Sequence, residues 1–586
     1  MSITQDLTVI VGDAFAACDY DRALGVVTVA DRADLGQFQC NGAFGGAKQY
    51  RKAPAAIAGE VIARLKENPL FADVSFAPPG FINMTLTAQS LVDYVNKIST
   101  IDYAAVGADT APMVIDFGGA NIAKPLHVGH LRSAVFGETF KRLLRKMGYT
   151  VIGDAHLGDW GLQMGLVISE LAVRYPDELC FSDSFDPATD SVLSLTPDLL
   201  NEVYPFASKK SKEDKDFFDT AQKATYDFQH GRPGYVALGG EIRRVSIADI
   251  KAGYDRLDVS FDLWLGESDA VPYVDRLMAA LNSKNLLQES NGAQIVEVAR
   301  EDDTAPIPPV LIKKSDNSDL YATTDLATII QRQEDFSPSA IWYLTDNRQE
   351  LHFTQVFRCA RMAALVPEET DLSFFGFGTM NGKDNKPYKT REGSAMRLTD
   401  LLDTVNSAAL EKLESSAYIQ SLSSEEKQLA AQKVGLAAIK FGDLVNYRQK
   451  DYIFSLEKFL SFEGKTGPYI LYMITRIHSI LKKAGQAYED IQPINGVYSD
   501  TERDLLLKLL TVEDTYRYAL QEKSPNYICE SAYQIAALFS KFYHENHIMD
   551  EPDAKKKASW LALIVLVRKI LVEYLDILGI DIVENM

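Results

Sequence analysis

The stretch Asp116-Phe117-Gly118-Gly119-Ala120-Asn121-Ile122-Ala123-Lys124-Pro125-Leu126-His127-Val128-Gly129-His130 decides the fold. It follows the apolar run Met113-Val114-Ile115 and precedes a long amphipathic segment that runs to Gly148. Strand, tight loop and helix start, in that order, are how a parallel α/β sheet offers backbone N–H groups to phosphate. His127 and His130 then stand at the positive end of the helix. Imidazoles there hydrogen-bond phosphate oxygens and take up charge as negative charge builds in a transition state. The plain alternative is a pair of turn histidines capping a helix. The pattern points to a nucleotide site that activates a carboxylate.

Outward from this stretch, Leu131, Val135, Thr139, Phe140, Leu143, Leu144 and Met147 recur at helical spacing, and Gly148 suits the position just past a helix end. Thr150-Val151-Ile152 reads as the next strand, with a turn at Leu157-Gly158-Asp159-Trp160-Gly161. The three elements make a β-α-β unit with the usual right-handed crossover. Residues 176–235 are charged and Ser/Asp-rich and read as an insertion outside the sheet. Further sheet strands are expected at Ile295–Val298, Val310–Ile312, Ile341–Leu344 and Phe374–Met380. From about residue 400 the pattern is helical, as in a bundle. Before residue 110, strands at Val26–Val29 and Phe81–Leu86 and a helix over Pro54–Lys66 suggest a small mixed unit. The expected fold class is α/β. A Rossmann-like parallel-sheet catalytic domain (111–400) stands between a small α+β N-terminal accessory domain (1–110) and an all-α C-terminal helical bundle (401–586).

Composition excludes several classes. The chain is 46% hydrophobic and 24% charged, which suits a soluble folded protein. Its five cysteines, Cys18, Cys40, Cys180, Cys359 and Cys529, include no Cys-x-x-Cys pair, so a disulfide scaffold and a cysteine zinc site are not expected and a reducing cytoplasm is. The apolar run Trp560–Val567 is broken by Arg568-Lys569 and is too short to span a bilayer. Asp6 near the start, without a basic flank, does not suit a secretory signal. The net charge of −21 lowers non-specific polyanion binding but is uneven. Residues 431–586 carry 19 Lys/Arg against 21 Asp/Glu, leaving room there for basic faces.

Two motifs fail on inspection. Gly464-Lys465-Thr466 imitates a P-loop, but Phe459 stands where the first glycine must fall. Gly376 and Gly378 lack the third glycine of a dinucleotide fingerprint, since Asn381 occupies its place. Lys386-Pro387-Tyr388-Lys389-Thr390-Arg391-Glu392-Gly393 follows the last expected strand, where a loop could close over a triphosphate. A solvated loop is the alternative.

The pairing of Asn121 to Arg132 with Gly158-Asp159-Trp160-Gly161 resembles the class I aminoacyl-tRNA synthetases, specifically the arginyl-tRNA synthetase family. The resemblance continues through Phe261–Ser268, Tyr321-Ala322-Thr323-Thr324-Asp325, Lys386–Gly393 and Leu460–Tyr469, and is loose over the first hundred residues. It implies ATP-dependent ligation of L-arginine to tRNA(Arg) through an arginyl-adenylate. It implies catalytic roles for Lys124, His127, His130, Lys386, Lys389 and Arg391, and an ATP site at Ala123, Lys124, His127, Gly129, His130, Lys386 and Thr390. The loop departs from the class pattern at Thr390, where the usual second lysine is missing, and the family substitutes the lysine before the histidines, here Lys124.

For arginine the resemblance indicates Asp116, Gly119, Ala120, Asn121, His130, Tyr321, Asp325 and Gln349. A guanidinium needs carboxylates in a planar fork, which Asp116 and Asp325 can offer. Gly119-Ala120 replaces the family's Ser-Pro, losing any serine hydroxyl contact. For tRNA it indicates Tyr469, Tyr472, Arg476, Tyr543 and Met586. The first three fall on one helical stripe, which is either core or a surface for stacking on unpaired bases. Mg²⁺ is expected with ATP and without a protein ligand, so no metal site is assigned. A cytoplasmic monomer that does not engage membranes is expected. The rivals are another adenylate-forming nucleotidyltransferase, whose chains usually lack a large helical C-terminal bundle, and a non-catalytic tRNA-binding relative.

Overall fold

The computed structural model describes the chain except residues 1, 31, 33, 99, 100, 102, 314–319, 387, 389–395, 415–421, 486–491 and 584–586. Its centre is a parallel sheet of four strands in the order Asp371–Phe374, Ala340–Leu344, Met113–Phe117, Val151–Asp154. Val114, Ile115 and Ile341 are fully buried, as the apolar runs require of strands covered on both faces. From Met113–Phe117 the chain goes to one side for Val151–Asp154 and to the other for Ala340–Leu344. The topological switch point therefore lies between Met113–Phe117 and Ala340–Leu344, and the crevice outside their carboxyl ends is where such sheets hold ligands.

The helix after the opening stretch is Val128–Lys146, and Gly148 takes the left-handed φ of +83° that ends it. This helix ties the switch point together. The Ser133 hydroxyl donates to the Leu344 carbonyl at 2.8 Å and accepts the Gly118 N–H at 2.8 Å, so one side chain joins the ends of both strands.

Two expectations are corrected. The apolar segments near 295 and 310 do form strands, Ala293–Val296 and Val310–Lys313, but they pair antiparallel with each other, and the first also with Leu287–Ser290, in a separate sheet. The run Phe374–Met380 is not one strand. It stays beside the continuation of Ala340–Leu344 as far as Phe377, whose N–H donates to the Thr345 carbonyl at 3.1 Å, and Met380–Asn381 pairs instead with Tyr452–Ile453. Along this run the carbonyls of Gly376 and Gly378 accept from Arg448 and Arg132 rather than from a further strand.

The 176–235 insertion contains helices Pro197–Glu213 and Lys215–Gln229, which pack on helix Leu162–Arg174 outside the sheet, and the helical module continues through Pro233–Asp255. The N-terminal unit has an antiparallel sheet in the order Val27–Val29, Phe38–Cys40, Phe81–Leu86, Phe71–Ala77, with helices including Ile3–Ala16 and Pro54–Leu65. The C-terminal third is helical from Leu398–Glu414 to Ala554–Ile577. Its longest helix is apolar at Trp560–Val567, yet no helix among the described residues is long and apolar enough to cross a membrane.

One buried ion pair joins the helix that follows Met113–Phe117 to this bundle. Arg132, on the first turns of Val128–Lys146, lies 2.9 Å from Asp443 on helix Ser424–Leu444, and both side chains are at most 2% exposed. Arg132 also donates to the carbonyls of Gly378 at 2.6 Å and Lys450 at 3.1 Å. Removing one partner of such a pair strands the other charge in the interior, which is the costly way to break it. Arg132→Leu is expected to lose about 3–5 kcal/mol of stability, read as a lower midpoint in chemical denaturation. A loss below about 1 kcal/mol would show that Asp443 finds another partner or a proton at little cost.

Candidate active site

The histidine turn is built by its own backbone. His127 caps the helix, its Nδ1 accepting the Gly129 N–H at 3.0 Å, and the Nδ1 of His130 accepts the His127 N–H at 3.1 Å. A backbone N–H can only donate, so each Nδ1 carries no proton and a neutral ring holds its proton on Nε2. Burial and then the Lys124 charge hold His127 below its ordinary pKa. Burial, then the neighbouring His127, pushes His130 down to about 3. The rings lie 4.0 Å apart, centroid to centroid. At neutral pH the turn thus offers two uncharged imidazole donors at a helix N-terminus, an arrangement suited to anionic oxygen.

Below the crevice a buried guanidinium binds the strand ends together. Arg332, on helix Tyr321–Phe336, donates from one nitrogen to Asp116 and Asp154, each at 2.7 Å. Arg332 is 1% exposed and lies over the Tyr343 ring at 5.2 Å. Burial opposes the charge on His156, but the hydrogen bond with Asp154 and the charges of Asp116 and Asp154 outweigh it and raise the His156 pKa. Asp116, Asp154 and His156 also have ligand atoms close enough for a metal ion, yet Arg332 already supplies their cation.

Above this layer the cleft is acidic. Asp325 lies one helical turn from Tyr321, on its helix, and contacts His352 Nε2 at 2.5 Å. Glu267 opens the short helix Glu267–Ala270, is 5% exposed, and accepts the Trp160 N–H at 3.3 Å. Burial first, then the charges of Asp325 and Asp159, push its carboxyl up to about 7. Tyr321 is largely exposed as a residue, but crowding around its hydroxyl and then the charges of Glu267 and Asp325 raise its pKa, which keeps the hydroxyl protonated. Among the described residues no Lys or Arg pairs with Glu267 or Asp325.

Gly-Asp-Trp-Gly holds this wall in place. Asp159 accepts the Ser268 N–H at 2.8 Å and its hydroxyl at 2.7 Å, while the Trp160 carbonyl takes a bond from Gln229 of the insertion at 2.7 Å. Asn121 bridges to Gly158, and the Ile122 N–H donates to the Gly158 carbonyl at 3.1 Å.

The structure brings Asn121, Lys124, His127, Gly129 and His130 together on one loop and Tyr321 with Asp325 on one helix face. Asp116 differs from the expected fork, because its carboxylate holds Arg332, and the carboxylate that shares the cleft's field with Asp325 is Glu267. Sequence reasoning quoted Phe261–Ser268 but gave Glu267 no role. Its signal was there, as an acid beside the Gly-Asp-Trp-Gly contact, but it reads equally as a helix N-terminal charge. Gly119 explains its own departure from the family pattern: a Cβ there would stand 2.3 Å from the His156 carbonyl oxygen, so serine does not fit this backbone. Ala120 is buried, and Ala123 adopts a left-handed φ of +60°.

Gln349 is exposed, in the turn after strand Ala340–Leu344. Lys386 is exposed beside the Met380–Asn381 pairing, whereas Lys389, Thr390, Arg391 and Met586 lie outside the described residues. On helix Gly467–Ala484 the stripe is not core: Ile470, Leu471, Ile474 and Ile477 are buried, while Tyr472 is exposed and Tyr469 and Arg476 are half-buried. Arg476 lies over the Tyr543 ring at 4.8 Å. Gly464-Lys465-Thr466 is a helix entry, with Thr466 capping the Tyr469 N–H and Lys465 paired to Glu530.

A parallel sheet with a histidine turn at its switch point, backed by a C-terminal helical bundle, is the plan of class I aminoacyl-tRNA synthetases. The family model described as "tRNA synthetases class I (R), catalytic domain" matches residues 98–456. "Arginyl tRNA synthetase N terminal domain" matches 2–86 and "DALR anticodon binding domain" 470–586. The chain is 47% identical to an arginine–tRNA ligase of Alkaliphilus oremlandii over all of both chains, and 44% identical to one of Agathobacter rectalis over 98% of each. The chain therefore belongs to the arginyl-tRNA synthetase family. Its fold matches the solved arginyl-tRNA synthetases of Plasmodium falciparum (TM-score 0.83, 23% identity, 100% of this chain and 99% of that) and Thermus thermophilus (TM-score 0.80, 22% identity, all of both).

The field on Glu267 sets a stability test with a definite sign. With its ordinary value at 4.5 and its folded value at about 7, the carboxyl favours folding while protonated. That contribution is complete below the ordinary value and is lost as pH rises through 7. Glu267→Gln removes the ionisation and is expected to be more stable than the parent at pH 8 by about 1–3 kcal/mol, with the gain shrinking toward pH 5. A variant equally destabilised at both pH values would remove Glu267 from the strained acidic wall.

Proposed function

We propose that the protein joins L-arginine to tRNA(Arg) in two steps. The arginine carboxylate attacks the α-phosphorus of ATP, the bond to the pyrophosphate oxygen breaks, and arginyl-adenylate forms. The 2′-hydroxyl of the terminal adenosine of the tRNA then attacks the arginyl carbonyl, and AMP leaves. Positioning and electrostatics carry the rate, without a side-chain nucleophile.

The observation that most supports this reading is the acidic wall of Glu267 and Asp325, which pairs with no Lys or Arg among the described residues and meets His352 at Asp325. A guanidinium satisfies it: Asp325 and Glu267 accept, and Tyr321 supplies a further polar contact. Asp116 acts from beneath, through Arg332. Asn121, Gln349 and the backbone of Gly119 and Ala120 border the remainder of the amino acid, with His130 between the two substrates.

For ATP, the Nε2–H groups of His127 and His130 donate to phosphate oxygens. The Ala123–Lys124 turn and Gly129 line the nucleotide, and Lys124 supplies the cation that the loop lacks at Thr390. Lys386, Lys389 and Arg391 approach from the opposite side. Mg²⁺ enters with the nucleotide through phosphate and water.

The tRNA lies along Tyr469, Tyr472, Arg476, Tyr543 and Met586, whose aromatic and cationic groups stack on unpaired bases. The N-terminal unit (1–110) contacts the tRNA beside the catalytic unit (111–400) and the bundle (401–586). The protein works as a cytoplasmic monomer.

Arginine-dependent exchange of label between pyrophosphate and ATP, run with and without tRNA, tests the reading. Exchange in the presence of tRNA is expected, and its absence in both conditions would overturn it. Asp325→Ala should raise the KM for arginine by about tenfold or more and leave the KM for ATP within about twofold. Equal effects on both substrates would take Asp325 out of the guanidinium site.

A further inference from the structure

Lys124 stands on a strained turn that the helical module over 197–255 grips at three points. The Ala123 N–H donates to the Ser246 hydroxyl at 2.9 Å, which in turn donates to the Ile242 carbonyl at 2.7 Å. That contact fixes the residue whose φ is +60°, a left-handed conformation that alanine adopts only where its surroundings over-determine it. Leu126 packs against Gly253 so closely that a Cβ there would meet its Cδ1 at 2.9 Å. Between these two anchors the Lys124 ammonium lies 4.5 Å from the centre of the Tyr204 ring.

Tyr204 belongs to helix Pro197–Glu213 and is followed by Pro205 inside that helix. Proline cannot donate to the carbonyl four residues back, so the helix lacks one of its hydrogen bonds beside this ring. Tyr204 is half-buried against Leu166, Ala207 and Phe217, which limits its freedom. Among the described residues Lys124 has no carboxylate partner, although the chain is strongly acidic. An aromatic face attracts an ammonium without neutralising it, and so holds the cation in place while leaving it available to an anion.

We propose that Tyr204 is a positioning residue for adenylate formation: with Ser246 locking the Ala123 turn, its ring presents the Lys124 ammonium to the phosphates of ATP. The insertion is thereby part of the reaction's machinery rather than an ornament on the sheet. The assignment rests on the proposed role of Lys124 and adds to it the device that aims the lysine. It also gives the left-handed alanine a purpose, since relaxing φ at 123 would swing the next side chain away.

A double-mutant cycle on the full chain, read as tRNA-supported pyrophosphate–ATP exchange, tests this. Tyr204→Ala is expected to lower the exchange turnover about tenfold with the KM for arginine within about twofold, and Tyr204→Phe to retain parental turnover because the ring remains. In a Lys124→Ala background, Tyr204→Ala should then add nothing further, because the residue it positions is gone. Equal losses from Tyr204→Ala with and without Lys124, or full turnover in Tyr204→Ala, would overturn the proposal and leave the role of Lys124 standing. Full turnover in Lys124→Ala would overturn both. Ser246→Ala supplies a second variant with the same expected dependence on Lys124, so poor folding of Tyr204→Ala would not hide the answer.

Discussion

One nitrogen of Arg332, shared between Asp116 and Asp154, is the contact on which the cleft depends. Three charges buried at the carboxyl ends of adjacent parallel strands would be intolerable singly, and together they form a neutral-to-negative floor. Because Asp116 and Asp154 consume Arg332, the carboxylates above them, Glu267 and Asp325, have no Lys or Arg partner among the described residues, and Asp325 contacts His352. The cleft is therefore poised rather than satisfied. Its electrostatic stress is recorded in Glu267, whose carboxyl burial and neighbours push to about 7. The guanidinium proposed for this site would relieve that stress.

The side proposed to hold phosphate is arranged differently. Its histidines are fixed through Nδ1 by main-chain donors and kept neutral, so they add hydrogen bonds without adding fixed charge. In the proposed site, positive charge is assigned instead to lysines on separate elements. The Arg132–Asp443 pair connects the histidine helix to the C-terminal bundle, while the strand pair Met380–Asn381 with Tyr452–Ile453 connects the base of the lysine loop to the same region. Both halves of the proposed nucleotide site are thus fastened to the part of the chain proposed to hold tRNA.

Much of this was legible in the sequence because it depends on local order. The strand, turn and helix over 113–148 follow from apolar periodicity, a helix-capping histidine and a terminal glycine, all within forty residues. Partner choice was not legible: the apolar strands near 295 and 310 look like those at 341, and only tertiary pairing assigns them to a separate antiparallel sheet. The run from Phe374 looked like one strand because nothing local reveals that its last residues, Met380 and Asn381, pair with Tyr452 and Ile453 instead. In the site, the histidine turn and Asp325 were visible as motifs. Glu267 was hidden by resembling a helix-start acid, and Asp116 seemed free because Arg332, 216 positions away, cannot be paired to it by spacing. The Gly119 departure, puzzling as a string, becomes a packing constraint once the His156 carbonyl is in view.

The central claim is that an acidic cleft with a strained Glu267 awaits a guanidinium, and proton linkage measures it most directly. Calorimetric binding of L-arginine in buffers of different ionisation heat, across pH 6 to 8, counts the protons exchanged. The account predicts that the protein releases protons as arginine binds, more at about pH 6 than at about pH 8, and that this release disappears in Glu267→Gln. Binding with no proton release at any of these pH values, or release unchanged in that variant, would contradict it.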